Sequence, residues 1–357
     1  MDEIMRSIYT SRQWNEDVGS VTAVVPELDS LAGKTVVVTG PTGLICSAVM
    51  DILINYNESH SMPVRLVAAG RSDQRVRERF AQYSDRDYFS FLQYDATSAI
   101  TCPGLHADYI IHGAGNADPD MIMKEPVETM TGNFMGLKNW FDFAGKNGTT
   151  RILYISSSEV YGKKDDNRPF REDEYGYIDL LSPRSSYPVA KRAAETLCAS
   201  YSHEYGVDAV IVRPGHIYGP TASPRDSRVS SAWAYAVARG EDIVMKSTGS
   251  QIRSYCHCLD TATAILKVLL CGESVRAYNI SNPESVISIK TMAEILAEAG
   301  NVALRQELPT DKERKGFNPM SNSSLDASGL LSLGWKGCFD AATGFGHTVR
   351  TIRDMIG

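Results

Sequence analysis

The chain has 357 residues, 43% hydrophobic and 22% charged, which is enough for one large or two medium domains with a real core and is ordinary for a soluble globular protein. Its net charge of −7 argues against a broad nucleic-acid or anionic-membrane surface, while leaving room for a local basic pocket. No apolar run reaches membrane-spanning length, the acidic N-terminus is not read as a secretory signal, and seven cysteines without framework spacing point to reduced thiols in the cytoplasm.

Residues 1–33 read as an N-terminal extension with one short helix, ending in the turn-prone Asp29-Ser30-Leu31-Ala32-Gly33. The unbroken apolar run Thr35-Val36-Val37-Val38 predicts a strand covered on both faces, as in a parallel sheet. A helix over about 44–56 and a strand over 64–69 come next. Strands are expected at 89–94, 109–111, 151–156 and 209–213, with long helices over about 126–147 and 187–205. This alternation predicts an α/β fold, a Rossmann-type doubly wound parallel sheet with right-handed crossovers and a smaller C-terminal substrate-capping domain. Residues 34–220 are assigned to the cofactor domain, with a return segment at about 254–270, and 221–357 mainly to substrate binding. Cys256-His257-Cys258 has no second ligand pair at zinc spacing, so no metal is expected.

Gly40-Pro41-Thr42-Gly43-Leu44-Ile45-Cys46 lies between a predicted strand and a predicted helix. Glycine at 40 allows a tight turn, and glycine at 43 lets the backbone approach a pyrophosphate at the helix N-terminus. The third glycine of such loops is replaced by Cys46, a small residue that affects helix–sheet packing more than phosphate access. The second strand ends in Gly70-Arg71-Ser72 rather than in an acid, so Arg71 can meet a 2′-phosphate or stack on adenine; this favours NADP, and the cofactor is read as NAD or NADP. Asp95 and Ala96, after the third strand, are candidate adenine contacts.

Tyr187 and Lys191 stand four apart, on one face of a predicted helix. Tyrosine is a poor base at its usual pKa of about 10. A neighbouring ammonium, together with the positive nicotinamide ring of an oxidised cofactor, is expected to favour phenolate and lower that value. The preceding strand ends in Ser156-Ser157-Ser158, which offers a hydroxyl to the reacting oxygen.

At these residues the chain resembles the extended short-chain dehydrogenase/reductases, over roughly 34–335. The motifs fall in that family's order: Thr39-Gly40-x-x-Gly43, Asp95-Ala96, His112-Gly113-Ala114-Gly115, Ser156 to Gly162, Tyr187-x-x-x-Lys191, Arg213 to Pro220, Gly249 to Arg253 and Leu333-Gly334-Trp335. The resemblance implies a nucleotide-diphosphate-sugar enzyme that oxidises a sugar hydroxyl, usually at C4. It makes Ser157 the catalytic hydroxyl, Tyr187 the base and Lys191 its partner on the nicotinamide ribose. It places Gly40, Thr42, Gly43, Leu44, Ile45, Arg71, Asp95, Ala96, Gly113, Ala114, Tyr187 and Lys191 at the cofactor. Ser158, His216, Arg228 and Arg253 are the implied substrate contacts, the two arginines facing a diphosphate or a sugar acid.

Ser158-Glu159 narrows the reaction. Glucose-type 4,6-dehydratases carry Asp-Glu there, whereas UDP-glucuronate decarboxylases and GDP-mannose dehydratases carry Ser-Glu, and Pro183-Arg184-Ser185-Ser186-Tyr187 also matches the decarboxylase pattern. In a glucuronate, a 4-ketone leaves the carboxylate β to an electron sink, so CO₂ departs and returning hydride closes a redox-neutral cycle with Glu159 orienting C5–C6 or relaying a proton. Decarboxylation is thus the first reading, with 4,6-dehydration, 4-epimerisation and 4-keto-sugar reduction as alternatives; a non-catalytic nucleotide or RNA binder is disfavoured by the intact Ser157, Tyr187 and Lys191. His216 stands where the family usually has Asn, and Gly115 where decarboxylases tend to have Ser. The resemblance also implies a homodimer that pairs the two long helices as a four-helix bundle.

Overall fold

The computed structural model describes residues 5–307 and 320–357; the first four residues of the extension and 308–319 of the capping region lie outside it. In chain order the elements are α1 (Arg12–Ala23), β1 (Thr35–Thr39), α2 (Leu44–Ser59), β2 (Arg65–Gly70), α3 (Asp73–Arg79), β3 (Phe89–Gln93), β4 (Tyr109–His112), α4 (Pro119–Lys124), α5 (Pro126–Asn147), β5 (Arg151–Ile155), α6 (Ser186–Tyr205) and β6 (Ala209–Pro214). Then come β7 (His216–Tyr218), α7 (Val229–Ala238), β8 (Ile243–Met245), β9 (Ile252–His257), α8 (Cys258–Cys271), β10 (Ala277–Ile280), β11 (Val286–Ser288), α9 (Ile289–Gly300), β12 (Leu304–Gln306), α10 (Ser328–Ser332) and α11 (Ala341–Ile356).

Seven strands form the main sheet in the order β10-β6-β5-β4-β1-β2-β3, with every neighbouring pair parallel. The apolar run of β1 is unbroken because both faces are covered. Val36 and Val38 enter a core with Ile52 of α2 and Leu266 of α8, while Val37 enters the opposite core with Trp140 and Phe141 of α5. Helix α5 starts at Pro126 and stops at Gly148, whose φ of 67° a side chain would disfavour. The order reverses between β1 and β4, which opens a crevice at the carboxyl ends of the strands.

The sheet also takes a seventh strand, β10, pairing Ala277 with Ile211 of β6. The sequence reading placed no strand there. Beyond β6, strands β7, β9 and β11 make a small sheet, and α7, α9 and α11 enclose a further core around Tyr235, Met292, Leu296 and Phe345.

The N-terminal extension is part of the main core. Trp14, Val18 and Val21 of α1, with Leu28 and Leu31, share one cluster with α2 and α8. The Tyr9 hydroxyl donates to Asp51 Oδ1 at 2.6 Å, Arg79 donates to the Tyr9 oxygen at 2.9 Å, and Arg79 pairs with Asp51, so the extension is tied to both α2 and α3. Trp14 is completely buried. Trp14→Ala is therefore expected to destabilise the whole fold by about 3–5 kcal/mol in denaturant titration; a loss below about 1 kcal/mol would mean that the extension docks without supporting the sheet.

Candidate active site

The loop after β1 is shaped by backbone constraints. Gly40 has φ +69°, and a Cβ there would stand 3.2 Å from the Ala114 backbone. Its N–H bonds to the carbonyl of Ala69, and Gly43 bonds back to Gly40, both at 3.0 Å. Gly43 caps α2 without any side-chain acceptor, so the first N–H groups of the helix, from Leu44 and Ile45 onward, are left for an anion. Thr42 and Gly43 are exposed, Leu44 and Ile45 half-buried. Cys46 is buried, and a side chain on Gly113 would collide with its sulfur, so the missing third glycine is matched by a glycine on the facing strand end.

Across the crevice, Thr39 Oγ1 accepts the N–H groups of Gly113 and Ala114 at 3.1 and 2.9 Å. Gly115 faces Asn133 of α5, whose Oδ1 is buried without a partner among the described residues. Sequence reasoning missed Asn133. The signal available was its spacing to Gly136, a position where a Cβ would stand 2.9 Å from the Tyr94 hydroxyl and 3.0 Å from Ala96. At the far end of the crevice Arg71 is exposed after β2, and Asp95 lies just past β3. Thr97 donates to Asp95 through its N–H and its hydroxyl, at 2.9 and 2.6 Å, and these bonds, with the Arg71 charge, hold the Asp95 carboxyl below its usual range. A bare helix N-terminus, a glycine-lined backbone surface and an orphaned amide oxygen fit a dinucleotide lying from Arg71 to Asn133. The residues that would hold it are the loop from Gly40 to Ile45, Arg71, Asp95, Ala96, and Gly113 to Gly115.

Tyr187 and Lys191 emerge from the first turns of α6 beside the end of β5. Tyr187 is buried, and Ser157, whose Oγ accepts the N–H of Glu159 at 3.1 Å, is near enough to favour its charged form. Lys191 Nζ donates to the carbonyl of Ile155 at 2.8 Å and lies 5.7 Å from the Tyr187 ring centre. Burial first, and then the negative charge of Glu159, push Tyr187 up to about 12, outweighing Ser157, Arg228 and Arg184. Lys191 is itself pushed down to about 8 by burial, against the opposing effects of Glu195 and Cys46.

Ser158 begins the short 3-10 turn that carries Glu159, and Arg184 Nη2 donates to Glu159 Oε1 at 2.8 Å. Arg228 is held by Asp226, its Nε at 2.9 and 3.0 Å from the two carboxylate oxygens. Arg253 is different. It is 4% exposed and donates to the carbonyls of Ile252 and Met320, at 2.8 and 3.3 Å. Among the described residues no carboxylate pairs with it, and burial pushes its pKa down. His216 Nδ1 is buried without a partner among the described residues, and burial plus the charges of Arg253 and Arg228 push this imidazole down to about 4. Arg253 and Arg228 thus both act on His216, and Arg228 also acts on Tyr187 together with Glu159 and Arg184. Cys256 and Cys258 are buried apart from this cleft, with His257 Nδ1 receiving the N–H of Leu259 at 3.4 Å as the cap of α8. A cavity of about 890 Å³ on the outer side of α6 is lined by Arg171, Tyr175, Arg192 and Arg213; it is not where the glycine loop and Tyr187 converge.

A doubly wound sheet with a glycine loop on β1 and a Tyr–Lys pair beside β5 defines a dinucleotide-dependent enzyme class. Residues 36–281 match the NAD dependent epimerase/dehydratase family, and the chain belongs to that family. Among curated relatives, UDP-glucuronic acid decarboxylase 6 of Arabidopsis thaliana is 28% identical over 283 residues, 78% of this chain and 79% of the relative. UDP-glucuronic acid decarboxylase 4 of the same plant is 30% identical over 324 residues, 90% of this chain and 69% of the relative. The fold is shared with the crystal structure of a UDP-glucose 4-epimerase from Thermotoga maritima, with a TM-score of 0.75 and 20% identity, covering 90% of this chain and all of that one.

The family is NAD dependent, and Arg71, exposed just after β2, is the residue expected to bear on the choice between NAD and NADP. Arg71→Asp puts an acid where a ribose hydroxyl would bind and removes the cation suited to a 2′-phosphate. It is expected to raise the NADH over NADPH preference about ten-fold in nucleotide-fluorescence titrations; an equal change for both nucleotides would remove Arg71 from the ribose.

Proposed function

We propose that this chain is a nucleotide-sugar enzyme of the UDP-glucuronate decarboxylase type, which oxidises C4 of the bound sugar and releases C6 as CO₂. The observation that carries the reading is Arg253, a buried guanidinium with no carboxylate partner among the described residues, whose charge acts on His216 together with that of Arg228, which in turn acts on Tyr187. A buried cation of this kind is costly until an anion meets it. A nucleotide-diphosphate glucuronate brings two anionic groups, and the relatives named as UDP-glucuronic acid decarboxylases align over most of the chain.

When bound, the cofactor supplies reversible hydride acceptance at C4. Tyr187 takes the proton of the C4 hydroxyl, and Ser157, close to Tyr187, steadies that oxygen. Lys191 holds positive charge beneath the pair and reaches the nicotinamide ribose. With a ketone at C4, the C5–C6 bond breaks, CO₂ leaves, and the electron pair is held as an enolate until a proton returns to C5. Glu159, held by Arg184, orients C5–C6 or relays that proton. The same Glu159 supports a second reading, 4,6-dehydration, in which it removes the C5 proton and the product is a 4-keto-6-deoxy sugar absorbing in alkali.

Residues 34–220, with the return at about 254–270, form the cofactor half of this reading, and 221–357 mainly the substrate half. We place the enzyme in the cytoplasm, in keeping with seven unbridged cysteines. The working unit is a homodimer that pairs α5 and α6 as a four-helix bundle. Val127 and Met130 of α5 are 66% and 43% exposed and line an apolar groove with Leu180, Leu181 and Val189.

Incubation with UDP-glucuronate is expected to release CO₂ and yield a UDP-pentose without net consumption of cofactor. Tyr187→Phe should cut the rate at least about 100-fold, and Arg253→Ala should weaken substrate binding at least about ten-fold. Absence of CO₂ from the wild-type protein would overturn the decarboxylase reading. The double variant Val127→Glu, Met130→Glu should sediment as a monomer where the parent sediments as a dimer; a parent that is itself monomeric would overturn the bundle.

A further inference from the structure

One turn beyond Lys191, on the same face of α6, lies Glu195 (i, i+4). Its carboxylate is buried and fully engaged. Ser156 Oγ donates to Oε1 at 2.5 Å, Arg213 Nε donates to Oε1 at 2.9 Å, and Arg213 Nη2 donates to Oε2 at 2.7 Å. Arg213, at the end of β6, is 2% exposed and continues the network. Its Nη1 donates to the Tyr161 hydroxyl at 3.0 Å and to the Glu172 carbonyl at 2.8 Å. Tyr161 closes the 3-10 turn that carries Ser158 and Glu159, and its hydroxyl donates to Asn279 of β10 at 2.5 Å.

Every segment that presents a reactive group is therefore tied to one carboxylate. Ser156 precedes Ser157, Tyr161 ends the turn of Glu159, and Lys191 shares a helix face with Glu195. We infer that Glu195 is a positioning residue for the active site: clamped by Arg213, it fixes the Ser156–Tyr161 segment against α6 and keeps a negative charge beside Lys191. This rests on the Tyr187–Lys191 oxidation step proposed above, not on the later loss of CO₂.

The charge matters because Lys191 is buried. Facing it are Glu195 on its own helix, Cys46 on α2, His112 on β4, Tyr154 on β5 with its ring 4.8 Å away, and Tyr187. Glu195 and Cys46 favour the ammonium, and burial opposes it, with Lys191 held at about 8. Lys191 is charged below that pH and loses its proton as the pH rises through it. Removing the Glu195 charge takes away support for the ammonium, so the midpoint must fall.

The test uses Glu195→Gln, which keeps the shape and the ability to accept from Ser156, in the full-length protein. The Lys191 midpoint, followed by NMR of ¹³Cε-labelled lysine, is expected to drop by about one unit. The alkaline limb of kcat/KM should move to lower pH with it, and kcat should fall about ten-fold with KM little changed. Glu195→Asp, which retains the charge, should restore the midpoint toward that of the wild type. A folded Glu195→Gln protein with an unmoved Lys191 midpoint would overturn the inference. Because the NMR titration needs no substrate, that failure is distinct from absence of CO₂ release by the wild-type enzyme, which would overturn only the decarboxylase reading.

Discussion

The Thr39 hydroxyl accepts two backbone N–H groups, from Gly113 and Ala114, and meets His112 Nδ1 at 3.1 Å, at the place where strand order reverses. On either side of this junction the connections leave in opposite directions, α2 on one face and α5 on the other. A crevice between β1 and β4 is the consequence. The bonds keep its floor closed and its rims fixed. Cys46 and Asn133 press on Gly113 and Gly115 from opposite faces, so this stretch offers only main chain to whatever approaches. The cofactor half of the site is thus made of backbone placement, and few side chains are needed to define it.

The substrate half is made of charge. Two buried ions elsewhere have counterions, Arg79 with Asp51 and Arg213 with Glu195. Lys191 survives burial by a carbonyl and the nearby Glu195, with its pKa pushed down to about 8. Tyr187 is pushed the other way, to about 12. Burial disfavours the charged form of each, so the same dry environment weakens the ammonium and strengthens the phenol's hold on its proton. The chemistry of the pair therefore depends on the charges around it, and these come from Glu159, Arg184, Arg228 and Glu195.

Much of this was legible in the chain. The period of Val36-Val37-Val38, the Pro126 start and glycine stop of α5, and the glycine loop between strand and helix are local signals, and each element formed where its signal lay. The illegible part depends on residues far apart in sequence. The pairing of β10 with β6, the match of Cys46 to Gly113, the partner of Glu195 eighteen positions on in Arg213, and the orphaned oxygen of Asn133 are facts of packing with no local pattern. The surroundings of the phenol are illegible for the same reason. Helical spacing put Lys191 on the right face, but it could not reveal that Nζ turns to Ile155 or that Glu159 faces Tyr187.

The fold and the Tyr–Lys pair account for oxidation alone, so the fate of the 4-ketone falls to the cations of the cleft. Arg228 is already matched by Asp226, and Arg184 by Glu159, whereas Arg253 is buried with no carboxylate partner among the described residues. If Arg253 meets the diphosphate, the sugar carboxylate is left to Arg184 or Arg228, each of which already has a carboxylate partner. Drawing Arg184 away from Glu159 would leave that acid unpaired beside C5, where a proton must be handled in either reading. If Arg253 meets the carboxylate instead, Glu159 stays paired and acts only as an orienting group. Decarboxylation and dehydration thus differ here less in catalytic residues than in the C6 group of the substrate, because only a glucuronate brings a carboxylate for a cation of this site to receive.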